Sequence, residues 1–227
     1  MKRDSNRMEA LALTSALKHK LLSEKESGFE AVGSSPRQVM RGPTLLQLSQ
    51  TVAVCTKCRL HQGRTQTVFG EGNPKAELMF VGEAPGRAED LQGRPFVGQA
   101  GQLLTRIIES IGLRRQDVYI ANVIKCRPPE NRPPEPDEIH SCEPYLIQQI
   151  ELIRPKLLCA LGKSATTVLV RKEGSLSELR GRFSDFRGIP VMTTFHPAYL
   201  LRNPSAKRLV WEDMKKVKAY LETGNLS

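Results

Sequence analysis

No run of about 18 or more apolar residues occurs in this 227-residue sequence, so no segment has the length and apolarity of a membrane-crossing helix. The first residues also lack an apolar core followed by a small-residue cleavage site, which gives the expectation of a cytoplasmic protein. Cysteine is scarce and odd in number, at five residues, which argues against a disulfide framework and favours metal or cluster binding. No internal repeat is apparent. Acidic residues are outnumbered, 24 against 34 Lys and Arg, giving a net charge of +10 and a pI near 9.6. That balance points to a polyanionic partner such as nucleic acid, although surface charge for solubility produces the same excess. Residues 1–43 hold eight Lys/Arg and five Asp/Glu, so most of the basicity belongs to the rest of the chain.

The length suits one domain and an additional segment. Residues 1–43 read as an N-terminal extension, interrupted by Ser and Pro, with one helical pattern from Met8 to Leu22. Residues 44–227 read as the folded domain. Thr44 is placed to cap a helix carrying Leu45, Leu46, Leu48 and Val52 that leads into Cys55. Apolar runs at 76–81, 118–124, 156–161 and 189–194 predict four strands. Helical patterns at 100–111, about 137–153, from 164 and about 206–221 alternate with them, and a Gly- and Pro-rich loop follows Gly82. The expected fold is therefore a three-layer α/β/α sandwich around a central, mostly parallel, four-stranded sheet. In such sheets ligands bind at the carboxyl ends of strands, which is where the unusual loops fall.

Cys55 and Cys58 form a C-x-x-C pair, whereas Cys126 and Cys142 are widely spaced around a Pro-rich stretch. Zinc ribbons usually present two C-x-x-C knuckles, and this chain has one. Four thiolates from separate elements suit a [4Fe–4S] cluster, which takes one sulfur at each iron corner; zinc and free thiols are the alternatives. Cys159, inside Leu157-Leu-Cys-Ala-Leu161, reads as a small core residue.

Taken with the cysteines, three further segments resemble the iron–sulfur (family 4) uracil-DNA glycosylases. They are Gly82-Glu-Ala-Pro-Gly86 with Glu89-Asp-Leu-Gln-Gly-Arg-Pro-Phe-Val-Gly98, then Asn122-Val-Ile-Lys-Cys-Arg-Pro-Pro-Glu-Asn131, then His196-Pro-Ala-Tyr-Leu-Leu-Arg202. The likeness runs from about residue 44 to 220, and the specificity lies in the combination. The resemblance implies a uracil-DNA-glycosylase-like fold, a [4Fe–4S] cluster on Cys55, Cys58, Cys126 and Cys142, and excision of uracil from single- or double-stranded DNA by a monomer. A related branch that couples covalently to DNA carries a basic insertion with a nucleophilic histidine after the second motif. This chain has no such insertion, and His140 is the histidine of that region.

Chemistry assigns the roles. A glycosylase must swing the nucleotide out of the stack, and Leu200 and Leu201 beside Arg202 have the character of a wedge with a phosphate grip; burial of the leucines in the core is the alternative. Asn122 offers an acceptor for uracil N3–H and a donor for O4. Its other reading is a strand-end cap. Phe96 is the expected stacking platform, against simple core burial. By resemblance, His196 donates to the uracil O2 as negative charge builds there. The backbone of Gly82 to Gly86 approaches the base. The best-known uracil glycosylases place an aspartate where Ala84 stands, so Glu83 is the first candidate to orient water and Asn131 the second. Glu89 is expected either to wall the pocket against the thymine methyl or to be solvated. The competing functions are a non-catalytic iron–sulfur module that binds nucleic acid beside a DNA polymerase, and an enzyme for other deaminated or mismatched bases.

Overall fold

The computed structural model describes residues 43–226, so the helix expected at Met8–Leu22 lies outside the described residues. Thr44 caps helix α1 (Leu45–Ala53): its hydroxyl accepts from the Gln47 amide, and the Gln47 side-chain oxygen accepts from the Thr44 amide. A short strand β1 (Glu71–Gly72) follows, then β2 (Leu78–Gly82), α2 (Arg87–Gln92), α3 (Gln99–Ser110) and β3 (Tyr119–Asn122). Next come α4 (Pro136–Ile153), β4 (Leu157–Leu161), α5 (Lys163–Val170), α6 (Leu176–Leu179), β5 (Phe183–Phe186), β6 (Ile189–Thr194), α7 (Pro197–Arg202) and α8 (Lys207–Thr223).

All strands join one six-stranded sheet in the order β1-β3-β2-β4-β6-β5. The four expected strands are its parallel centre, paired β3 with β2, β2 with β4 and β4 with β6. Two antiparallel edge strands, β1 and β5, extend the expected sheet of four. β1 has two residues, and β5 reads Phe-Ser-Asp-Phe with its exposed positions polar, so neither produces the apolar run that marks a buried strand.

Side chains alternate across the sheet. Met79, Val81, Ala121, Leu158 and Ala160 pack with α1, α4 and α5, whereas Leu78, Phe80, Ile120, Leu157 and Met192 pack with α3, α7 and α8. Covering both faces yields the three layers, and each fully buried Leu, Ile, Val or Phe contributes about 1.5–3 kcal/mol. The loop expected after Gly82 contains α2, closed by Gly93 in the left-handed conformation.

The Pro-rich segment 127–136 has little apolar content and is held by a carboxylate. Glu138, whose side chain is fully buried, accepts from Arg132 Nη2 at 2.6 Å, Arg59 Nε at 3.0 Å and the Glu135 amide at 2.8 Å. One residue thus ties the turn after Cys58 and the Pro-rich segment to the start of α4. Hydrogen bonding from Arg132 pulls the Glu138 carboxyl down to about 2 against the opposing cost of burial. Because this folded value lies below the unfolded 4.5, the contribution is complete above pH 4.5 and is lost as pH falls towards 2. Glu138→Gln is expected to lower stability at pH 7 by about 1–3 kcal/mol and to flatten the acid limb, as measured by urea unfolding at several pH values.

Candidate active site

Strand register creates the site. Gly82 is aligned with Asn122, and Leu161 with Thr194, so the parallel strands end together. The Val123 amide then donates to Gly82 O at 2.9 Å and the Ile124 amide to Glu83 O at 3.2 Å, fastening the first two exit loops side by side. The Gly162 amide does the same to Thr194 O at 2.9 Å. A cleft of about 670 Å³ opens over this edge, lined by Glu83, Glu89, Phe96, Asn122, Asn131 and His196, with Ala84, Tyr199, Leu201 and Arg202 at its walls.

Asn122 is 2% exposed, and its Oδ1 has no hydrogen-bond partner. A strand-end cap would use that oxygen; here it is left free in the cleft. Gly82 is required beside it, because a Cβ there would lie 2.4 Å from Asn122 Oδ1 and 2.5 Å from Phe96 Cζ. Phe96 is buried in the core cluster over β2 and also lines the cleft. Its backbone sits at φ 53°, a conformation unusual for phenylalanine and fixed from outside. Glu89 Oε1 accepts from the Val97 and Gly98 amides, each at 2.9 Å, and so pins the turn that follows Phe96. Glu89 is therefore a bonded residue rather than a solvated one.

His196 caps α7, where its Nδ1 accepts from the Ala198 amide at 3.1 Å. In the neutral ring that bond puts the hydrogen on Nε2, making Nε2–H the free donor. Burial, with the charge of Arg202, pushes the imidazole down to about 4. The ring centroid lies 5.5 Å from that of Phe96. Gly162, at φ 87°, passes beside it, and a Cβ there would meet His196 Cβ at 3.0 Å.

Glu83 accepts a hydrogen bond from the Ser164 hydroxyl, a partner absent from the sequence reading. The available signal was position: Ser164 follows directly on the strand closed by Gly162 and so reaches the same sheet edge. Asn131 stands exposed at φ 56°, accepting from Arg127 Nε at 2.8 Å. Leu200 is a correction: it is 1% exposed within the core cluster under α7 and cannot enter a duplex. A helix turns successive residues about 100° apart, so burying Leu200 presents Leu201, 41% exposed, and Tyr199 to solvent.

Beyond β3's exit loop, Cys55, Cys58, Cys126 and Cys142 line one small cavity of about 20 Å³. Arg64 Nη1 lies 3.3 Å from Cys126 Sγ and donates to Cys55 O at 2.7 Å. The Lys125 amide donates to Cys142 Sγ, and the Tyr145 hydroxyl to Cys55 Sγ, both at 3.3 Å. Among the described residues, no three Cys, His, Asp or Glu side chains converge as a site for a single metal ion. Cys159 is fully buried in β4, as its apolar surroundings predict. No described helix is long and apolar enough to cross a membrane.

Helices cover both faces of the sheet, and the cleft lies over the carboxyl edge of its parallel strands. The profile of the Uracil DNA glycosylase superfamily matches residues 69–215. The sequence is 48% identical over 185 residues to the type-4 uracil-DNA glycosylase of Saccharolobus solfataricus, covering 78% of this chain and 86% of that protein. It is 49% identical over 179 residues to the type-4 enzyme of Thermotoga maritima, covering 77% and 93%, and 43% identical over 182 residues to that of Archaeoglobus fulgidus, covering 77% and 92%. The chain belongs to the type-4 uracil-DNA glycosylase family.

His196 is expected to keep its Nε2–H tautomer from about pH 8 to 5 and to titrate near 4. Nitrogen-15 spectra of the imidazole check this, and a midpoint near 6.5 would contradict it. Since the unfolded chain takes up this proton first, stability falls as pH drops from 6.5 towards 4.

Proposed function

We propose that this protein flips uracil out of DNA and hydrolyses its N-glycosidic bond, leaving an abasic site. The observation that carries the reading is the buried, unpartnered Asn122 Oδ1 in the same cleft as a neutral His196. Uracil N3–H donates to Asn122 Oδ1 and the carboxamide N–H donates to O4. Cytosine reverses both positions and leaves buried polar groups unpaired, at about 1–3 kcal/mol. Phe96 stacks on the extruded ring. As the bond breaks, negative charge gathers on the base and His196 Nε2–H donates to O2. Glu83, held by Ser164, faces the positive charge on the sugar and orients water, with Asn131 as the second candidate. Glu89 acts on thymine exclusion through the Phe96 turn that it holds. Leu201 with Tyr199 fills the gap in the stack while Arg202 meets phosphate. The substrate is uracil in single- or double-stranded DNA, bound by a monomer, with residues 44–227 as the catalytic domain and 1–43 as an extension.

Cys55, Cys58, Cys126 and Cys142 are the proposed ligands of a [4Fe–4S] cluster. A cube takes one sulfur at each corner, so its ligands surround a cavity instead of meeting at a point. Bound there, the group would cross-link the exit of α1, the segment after β3 and α4, a structural contribution to which no step of excision is assigned.

Asn122→Ala and His196→Ala are each expected to lower uracil release from oligonucleotides by about 10²–10³-fold, counted as alkali-labile sites. Undiminished cleavage in either would refute its role, and absence of cleavage by the native protein would leave a module that only binds nucleic acid. Leu201→Ala is expected to impair duplex substrates more than single strands. Purified protein is expected to be brown, with visible absorbance lost in Cys126→Ala; a colourless protein containing zinc would overturn the cluster.

A further inference from the structure

Lys125 belongs to the Asn122-Val-Ile-Lys-Cys segment, yet no role above uses its side chain. It is 1% exposed. Among the described residues its ammonium forms no ion pair with a carboxylate; Nζ donates to the Asn122 main-chain oxygen at 2.7 Å and to Gln149 Oε1 at 2.6 Å. Gln149, fully buried on α4, uses its amide to donate to Phe69 O at 2.9 Å and to the Tyr119 hydroxyl at 3.4 Å. Burying an ammonium against neutral acceptors is expensive, and an apolar side chain of similar volume would fill the space at lower cost. The chain crosses from β3 towards Cys126 at this point, and the lysine closes a bond back over three residues onto the asparagine itself.

We infer that Lys125 is a positioning residue for uracil recognition: it fixes the Asn122 backbone, and through it the aim of the carboxamide, by tying the end of β3 to Gln149 of α4. The inference rests on the assignment of Asn122 as the base-reading residue. Recognition of N3–H and O4 in one plane tolerates little error, and a displacement of about 1 Å in a reacting geometry costs about 10²-fold in rate.

A double-mutant cycle tests it on the full-length purified protein. Lys125→Met is expected to lower kcat/KM for uracil-containing single strands by about 10–10²-fold. It leaves affinity for an oligonucleotide with a tetrahydrofuran abasic site unchanged, since that ligand offers no base to Asn122. In an Asn122→Ala background the same substitution is expected to cost less than about twofold, because the lysine acts through the asparagine. Equal losses in both backgrounds, or weakened tetrahydrofuran binding, would reduce Lys125 to a structural role and overturn the inference. Undiminished activity in Asn122→Ala alone would instead overturn the base-reading assignment. If Lys125→Met does not fold, Lys125→Gln, uncharged and one atom shorter so that it does not bridge both acceptors, enters the same cycle with the same criteria.

Discussion

The alignment of the parallel strand ends is the constraint on which the site depends. Gly82 opposite Asn122 and Leu161 opposite Thr194 bring four exit loops to one edge. Side chains alternate along a strand, so a slip of one residue in β3 would turn Asn122 away from its present face. Tyr119 and Ala121 pack into the core on one face and Ile120 into the core on the other, and exchanging side chains of such different volume between two packed layers resists that slip. Core packing thereby selects the orientation of a polar side chain that contributes nothing to the core. Asn122 Oδ1 remains unpaired at a folding cost of about 1–3 kcal/mol, an amount a hydrogen-bonding ligand would return.

The sheet alone does not hold the loops. Beyond Asn122 the chain runs through Lys125, Cys126 and the Pro-rich segment, where apolar contacts are few. Polar groups take over: Lys125 joins β3 to α4, and Glu138 gathers Arg59 and Arg132. Lys125 borders the cavity that the four cysteines line, and its main-chain amide donates a hydrogen bond to Cys142 Sγ. The cavity and the cleft therefore share a short backbone segment, and rigidity on one side limits motion on the other.

How legible this was in the sequence depended on period and burial. The strands at 76–81 and 189–194 were visible because parallel strands covered on both faces are continuous apolar runs. The edge strands β1 and β5 were not, one being two residues long and the other half polar. Helix α2 hid among Gly and Pro because its stop is a glycine that also reads as loop. In the cleft, the meeting of Asn122, His196 and Phe96 follows the expectation drawn from the resemblance and the chemistry of the base. Which of Leu200 and Leu201 faces outward was not legible, since a six-residue helix is too short to show a period. The Ser164 bond to Glu83 and the Lys125 bond to Asn122 O depend on tertiary approach and leave no local pattern.

Net basicity and local chemistry separate cleanly here. The chain carries +10, yet two of the groups that line the cleft are a carboxamide and an imidazole held neutral. Part of that neutrality comes from Arg202, whose charge disfavours a second cation on His196, so the residue assigned to phosphate also sets the state of the residue assigned to the base. Glu89 pulls the imidazole the other way, but burial and Arg202 outweigh it, so the neutral ring prevails. Cationic surface brings the polyanion close. Desolvation over the sheet edge keeps His196 neutral, and the Ala198 amide at its Nδ1 leaves the remaining donor on Nε2.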